Sequence, residues 1–411
     1  MFGIAGLLAP CPVPTFLRED FGRRARYQAG TGAKFEGLFS WEDINHLLNT
    51  TSPRGSIKLV YDKKTLEPAQ LANLAHWLNE GATLVIDWLQ TLDEFVYRFA
   101  QELARDVNTP VNINCYVSCP NKQGFDLHFD KHDVFIVQVE GRKQWRVFEP
   151  TLEKAPLQSM EYNLADCQPP DPEKDAPYCD CTLDVGDVLY IPRGHWHYAV
   201  AETPSIHLTV GLSPTSGIDL LNWITAELTQ SEEFFRRDIP IAMAPELGGP
   251  GGLVPIADYI EEFKSRIRDI MGRDDLVDLI VHNCMLRNQL RRESKLPFIW
   301  DLEASLTPET KFSLLDTQKA LIRYDEAEDC TIVYLRGSRL KLDQFPESLV
   351  RALFESAGGF SGSSIMKRSP GFSWNQVKSL LTEMYRSGVI INVDEAQPGE
   401  QEPPDAGRLA G

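Results

Sequence analysis

The sequence has no CxxC pair of the zinc-ribbon kind, no apolar run near the roughly 18 residues a membrane span requires, and no basic segment at its start. Its eight cysteines are scattered (Cys11, Cys115, Cys119, Cys167, Cys179, Cys181, Cys284 and Cys330), which excludes a disulfide-dense secreted scaffold and reads as reduced thiols in a cytoplasm. Met1 to Pro14 is mildly apolar but broken by prolines and does not read as a signal peptide. Positive charge is scarce too. Lys and Arg number 41 against 59 acidic residues, a net charge of −18, so the expectation is no direct nucleic-acid partner and a preference for basic peptides. Cys179 and Cys181 form a close pair in a Pro- and Asp-rich stretch that reads as an exposed loop.

What remains is ordinary globular material of 411 residues, 43% hydrophobic and 24% charged, enough for one large domain and one or two smaller ones. Between Trp41 and Asp106 helical and extended patterns alternate: helices near Ser40–Leu48, Leu71–Leu78 and Leu92–Ala104, strands at Ile57–Tyr61 and Thr83–Ile86. From Val111 to Gly211 short strands punctuated by Gly, Pro and Asp read as an antiparallel barrel or double-sheet jelly roll. Beyond Pro214 the pattern is helical, with Ile218, Leu221 and Leu228 on one face and Ile256, Ile260, Phe263, Ile267 and Ile270 on a second. The last part predicts strands at Thr331–Leu335 and Arg339–Leu342, and two helices, the second opening on a Ser373–Gln376 capping box. A strand at Val389–Val393 closes a winged-helix-like unit. Residues Asp394–Gly411 have the Pro, Glu and Gly composition of a disordered tail.

The chemistry concentrates in the barrel. His128 and Asp130 stand two apart in an extended run, so their side chains leave one face with Cα atoms roughly 6.6 Å apart, close enough to share an ion. His132 continues the alternation, but on a regular strand it lies about 13 Å from His128, which makes it a bystander or a substrate-side group. A third ligand must come from a distant segment. Val185 to His197, a Gly-Asp turn, a strand and a Pro-Arg-Gly turn, offers His195 and His197, which spacing does not separate. Two imidazoles and one carboxylate with open positions form the facial triad of non-haem iron oxygenases. Lys143, Trp145 and Val147 share the face of a strand leaving the Glu140-Gly141 turn, which allows an inward lysine.

These strings carry a family likeness. Asn114-Cys-Tyr116, Gln123-Gly124, His128-Phe-Asp130, Asp133 to Gln138 with Glu140-Gly to Trp145, Gly186-Asp187 through His197, and Ser205 to Thr209 resemble the JmjC cupin oxygenases. Within that family the likeness is to the ribosomal oxygenase branch, which hydroxylates ribosomal proteins. The resemblance implies an α+β protein with a double-stranded β-helix (jelly-roll cupin) core and N-terminal αβ elements over residues 1–214. A helical dimerisation region at 215–304 and a winged-helix-like domain at 305–394 would follow, then a tail at 395–411. It implies Fe(II) held by His128, Asp130 and His197, with His195 a neighbour, and 2-oxoglutarate and O2 as co-substrates. Lys143, fifteen residues after His128, and Tyr116 would hold the far carboxylate of 2-oxoglutarate. Asn114 and Thr209 would line the pocket, while His207 reads as structural. The implied activity is hydroxylation of an amino-acid side chain in a protein, by a cytoplasmic homodimer. Alternatives are peptide tailoring in a ribosomally made natural product, N-methyl demethylation, a zinc hydrolase or inactive metal scaffold on the same ligands, and a nucleic-acid module built on the winged helix.

Overall fold

The computed structural model describes residues 3–50, 55–62, 64–120, 125–152, 168–240, 254–273, 305–314, 320–326, 329–335, 338–355 and 359–393, with a few positions between 276 and 284. The expected tail and the Gln123-Gly124 string lie outside the described residues, as does most of 274–304. Two compact units divide the chain, Met1–Ser265 and Arg266–Gly411.

Burial alternation builds the first unit. Strand β5 (Val111–Ser118) buries Ile113, Cys115 and Val117 and turns Asn112, Asn114 and Tyr116 to the other face, the period of two that a strand imposes. Strands β6 (Asp133–Glu140) and β11 (Ser205–Leu212) are buried almost throughout, as expected of interior strands covered on both sides. With β1 (Arg26–Gln28), β2 (Ile57–Tyr61), β3 (Lys64–Thr65), β4 (Thr83–Ile86) and β9 (Val188–Ile191) they form an antiparallel sheet of order β1-β9-β6-β11-β5-β4-β2-β3. A second sheet, β10-β7-β8, comprises β7 (Lys143–Phe148), β8 (Cys179–Leu183) and β10 (Trp196–Ala201). Val134, Ile136, Leu189 and Ile191 from the large sheet meet Trp145, Val147, Leu183 and Ala199 from the small one in a continuous apolar core. This is the double-sheet arrangement expected between Val111 and Gly211.

The hairpin joining β6 to β7 turns at Gly141, whose φ of +67° suits glycine, and a Cβ there would lie 2.0 Å from the Pro204 carbonyl oxygen. Its geometry sets the phase of β7, so that Lys143, Trp145 and Val147 all point inward. Cys179 and Cys181 are not the exposed loop pair the composition suggests. They lie half-buried on one face of β8, with sulfur atoms 4.0 Å apart.

Helices complete the unit: α1 (Ile4–Leu8), α2 (Val13–Glu19), α3 (Trp41–Thr50), α4 (Leu74–Glu80), α5 (Glu94–Val107), α6 (Gly217–Ser231) and the start of α7 (Val254–Met271). The expected helix at Leu71–Leu78 begins as a 3-10 turn at Pro68–Asn73, because Pro68 supplies a helical start without a donor. Phe234 stacks on Tyr259 at 4.9 Å, yet the Ile260 and Phe263 stripe of α7 stays more than a third exposed. Among the described residues no helix is long and apolar enough to cross a membrane.

The second unit holds a three-stranded sheet of β12 (Lys311–Leu314) between β16 (Phe360–Ser361) and β17 (Ile390–Asn392). A meander of β13 (Leu321–Asp325), β14 (Cys330–Leu335) and β15 (Ser338–Asp343) accompanies it. Three helices appear where two were expected: α8 (Glu347–Phe354), α9 (Gly362–Arg368) and α10 (Trp374–Arg386). The extra one, α9, has too few apolar residues to show a stripe; its Ser361 cap accepts from Ser364 N. At α10 the Gln376 side chain accepts from Ser373 N at 3.0 Å, as the capping-box motif predicts.

Tyr190 anchors the N-terminal lead-in to the barrel. Its buried hydroxyl accepts from Gly22 N at 2.8 Å and donates to Asp133 Oδ1 at 2.6 Å, and its ring meets Phe16 edge-on at 4.8 Å. Tyr190→Phe leaves a buried carboxylate and an amide without that partner, and should lower unfolding free energy by about 2–3 kcal/mol in urea titration. A loss below about 0.5 kcal/mol would show the contact to be dispensable.

Candidate metal centre

The segment 125–132 is not the regular strand that its spacing suggests; it is irregular apart from one bridge, His128 to His197. The two histidines exchange both backbone hydrogen bonds, His128 N to His197 O at 3.1 Å and His197 N to His128 O at 2.7 Å. A third bond, Gly194 N to Asp130 O at 3.0 Å, extends the zip. Gly194 sits at φ +88° in the Pro-Arg-Gly turn, which explains why that turn ends the preceding strand beside a histidine.

Their side chains converge accordingly. One ligand atom each from His128, Asp130 and His197 lies within 4.8 Å of the others, and His197 Nε2 is 3.6 Å from Asp130 Oδ2. Nδ1 of His128 faces the Asp126 carbonyl at 2.7 Å, and Nδ1 of His197 faces the His195 carbonyl at 3.0 Å. A carbonyl accepts only, so each Nδ1 carries the proton and each Nε2 presents a lone pair. Burial lowers both imidazole pKa values. His197 falls to about 4 as the neighbouring His128 adds to the effect, and Asp130 opposes the shift in both rings. Two neutral imidazoles and a carboxylate, oriented before any ion arrives, fit a divalent transition metal.

Behind this cluster lies a cavity of about 100 Å³, larger than the roughly 30 Å³ share of one water, so the pocket has room for more than an ion. Its polar lining includes Asn114, Tyr116, Lys143, His207 and Thr209. Lys143 is only 5% exposed; its amine donates to Ser118 Oγ at 2.9 Å and lies 3.4 Å from His207 Nδ1. Burial brings its pKa down to about 7. The Tyr116 ring lies flat on His207, with centroids 4.9 Å apart, and burial raises its hydroxyl pKa. Asn114 accepts from Trp88 N at 3.0 Å through Oδ1 and hydrogen-bonds Tyr116. In the β5–β11 ladder Tyr116 pairs with His207 and Asn114 with Thr209, which puts all four on one wall.

Residues 89–220 match the JmjC domain family. The chain is 26% identical, over 94% of its length and 82% of the relative's, to the bifunctional lysine-specific demethylase and histidyl-hydroxylase NO66 of Dictyostelium discoideum. It is 25% identical to ribosomal oxygenase 2 of Rattus norvegicus, over 84% of this chain and 82% of that one. Its fold is similar, with a TM-score of 0.56 and 17% identity, to YcfD, a ribosomal oxygenase from Escherichia coli, solved with cobalt and 2-oxoglutarate. That likeness covers 93% of this chain and 98% of YcfD. The barrel is therefore a JmjC cupin fold of mixed helices and antiparallel sheets.

Three further histidines of the barrel lie near the cluster, and one of them, His207, stands differently from its sequence reading. His195, which spacing left open and the resemblance made a neighbour, is buried outside the cluster, with Nδ1 2.7 Å from the Tyr178 hydroxyl. His207, read as structural, lines the pocket beside Lys143, and the parity it shares with Thr209 on β11 was the available signal. His132 also lines the pocket, its ring packed on Gly211, where a Cβ would lie 2.5 Å from the imidazole. Ser118 was overlooked although it shares a face with Asn114 and Tyr116. Trp145 Nε1, on a ring that lines the pocket, is buried without a hydrogen-bond partner among the described residues.

Calorimetric titration with Mn(II) should show one tight site. His128→Ala, Asp130→Ala and His197→Ala should each weaken it at least tenfold, and His195→Phe should leave it within about threefold. Because the ligand imidazoles have lowered pKa values, protons should compete little above about pH 6, and affinity should stay nearly level from there to pH 8. A fall already at pH 6.5 would mean that the rings titrate normally.

Proposed function

We propose that this JmjC domain is an Fe(II)- and 2-oxoglutarate-dependent hydroxylase of an amino-acid side chain in a protein, with a ribosomal protein as substrate. The observation that carries the reading is the placement of a buried amine, Lys143, on the wall of the same pocket that three metal-binding side chains enter. The relatives' names and the bound cobalt and 2-oxoglutarate of the YcfD structure support it.

His128, Asp130 and His197 would hold the iron, leaving positions open for the co-substrates. Iron with 2-oxoglutarate and O2 supplies the oxidising chemistry that places one oxygen atom in a substrate C–H bond, with succinate and CO2 as by-products. Lys143 supplies the charge for the far carboxylate of 2-oxoglutarate, and the Tyr116 hydroxyl adds a donor beside it. His207 stays neutral: burial, with Lys143 adding, holds its pKa well below the ordinary range, so it does not repel the amine. Asn114 fixes Tyr116, and Thr209 completes the wall. Burial of this set excludes water and spares the reacting groups reorganisation.

Around that core we read residues 1–214 as the oxygenase domain, 215–304 as a dimerisation region and 305–394 as a winged-helix-like module. The exposed apolar residues Ile218, Leu221, Ile260 and Phe263 support a homodimer. Every described cysteine is free, which supports a cytoplasmic setting.

Lys143 yields a signed prediction. Its folded pKa of about 7 lies below its ordinary 10.5, so between those values the unfolded chain holds more protons and stability rises with pH across that window. At pH 7 the amine is a burden on the empty protein. Lys143→Met should raise Tm by about 2–4 °C while weakening 2-oxoglutarate binding at least 100-fold. Wild-type affinity for 2-oxoglutarate should fall as pH rises through about 7. A lowered Tm with unchanged 2-oxoglutarate affinity would remove Lys143 from the site.

For the activity, the full chain with Fe(II), ascorbate and 2-oxoglutarate should form succinate, and His128→Ala should not. Ribosomal proteins from cells lacking the gene should have lost one modification of about 16 Da, the mass of the inserted oxygen. Intact masses unchanged across the ribosome would reject the ribosomal substrate.

A further inference from the structure

Trp88 is a bulky residue in a conformation that suits glycine. With φ 57° and ψ 41° it lies in the left-handed region, which an indole side chain rarely adopts and which stores backbone strain. The strain secures no core packing, because Trp88 is 53% exposed. Single exposed aromatics are ordinary on protein surfaces; one placed at strained backbone is not, and such positions concentrate at functional sites.

Its location gives the reason. Trp88 follows β4 and precedes a 3-10 turn, and its amide donates to Asn114, whose side chain lines the metal pocket. The indole is therefore borne one residue outside the pocket wall. Beside it Asp87, ion-paired with Lys58, is close enough for its charge to act on Tyr116. Phe95, 60% exposed, follows at the start of α5. Between Lys64 and Arg98 the chain carries five acidic residues (Glu67, Glu80, Asp87, Asp93 and Glu94) and no Lys or Arg, with Glu94 paired to Arg98 as Asp87 is to Lys58. An aromatic face in an acidic stretch is a setting for a cation.

We propose that Trp88 is a docking residue for the protein substrate, its indole receiving a lysine or arginine side chain next to the residue that enters the pocket. This rests on the oxygenase reading and adds a specificity-determining position to it: the substrate segment is cationic, and one of its charges seats on an aromatic face outside the catalytic wall. Trp88 touches none of the reacting atoms, so its loss affects capture of the substrate and leaves the bound co-substrate alone.

The test uses the full chain with Mn(II) and 2-oxoglutarate, a fluorescein-labelled hexa-arginine peptide as cationic probe, and its hexa-citrulline counterpart, which keeps the shape without the charge. Wild type should bind hexa-arginine measurably more tightly than hexa-citrulline by fluorescence anisotropy. Trp88→Ala should weaken hexa-arginine binding roughly threefold to tenfold, and Trp88→Phe should retain most of it. Hexa-citrulline binding should be the same in all three proteins. Trp88→Gly, which relieves the backbone, should melt no lower than wild type. The proposal is overturned if Trp88→Ala binds hexa-arginine as tightly as wild type, if hexa-citrulline binds as well as hexa-arginine, or if Trp88→Gly melts several degrees lower, which would mark a folding role. Calorimetry of 2-oxoglutarate keeps the two readings apart. A wild type that does not bind it removes the oxygenase reading, whereas normal 2-oxoglutarate binding with no dependence on Trp88 removes only this inference.

Discussion

Two backbone hydrogen bonds exchanged between His128 and His197 hold together residues 69 positions apart in the chain, and the rest of the pocket is arranged around that bridge. It fixes the two main chains, and the carbonyls of Asp126 and His195 then fix the rings through Nδ1. Ring orientation thus follows from backbone geometry, which is stiffer than side-chain packing. Gly194 extends the constraint to Asp130, since its left-handed turn delivers an amide to that residue's carbonyl. Three bonds therefore position the three candidate ligands. The eight-stranded sheet and its partner sheet bring the two segments into register.

Much of this was legible in the residues because strands report their faces by parity. Lys143, Trp145 and Val147 alternate as a half-buried strand must, and the hairpin glycine sets their phase. The ligand pair was recognised for a reason the structure revises: His128 and Asp130 converge through an irregular segment tied to a distant turn, not through regular alternation. The irregular path also carries the His132 ring to the pocket lining, the substrate-side option of its reading. Spacing could not separate His195 from His197, because the decision is made by a tertiary contact, the hydroxyl of Tyr178, that claims one ring. The place of His207 on the pocket wall was not legible from spacing, since its cross-strand partner Tyr116 and its neighbour Lys143 are both distant from it in sequence.

At larger scale the division was similar. The change from alternating helices and strands to short punctuated strands near Val111 marks where β5 begins. Helix α9 escaped because a seven-residue helix held by its cap shows no apolar stripe. The Cys179–Cys181 pair was misplaced because proline and aspartate on one side gave it the look of a loop, whereas pairing with Val147 and Trp145 makes it strand.

On the proposed reading a strongly acidic protein takes up a dicarboxylic acid, an electrostatic conflict that burial of Lys143 would resolve. The net charge of −18 creates a repulsive field outside the molecule, but solvent and salt screen surface charge over about 8 Å. Inside the pocket screening is weak, so one amine close to the ligand outweighs many distant carboxylates. The same lack of solvent draws that amine's pKa down when no anion is present. Without an anion the pocket therefore stabilises that charge poorly, and a carboxylate entering it would gain from pairing. On that reading acidic surface and cationic pocket would divide the work by distance, the first acting on a basic macromolecule approaching from solvent and the second on a small acid already inside.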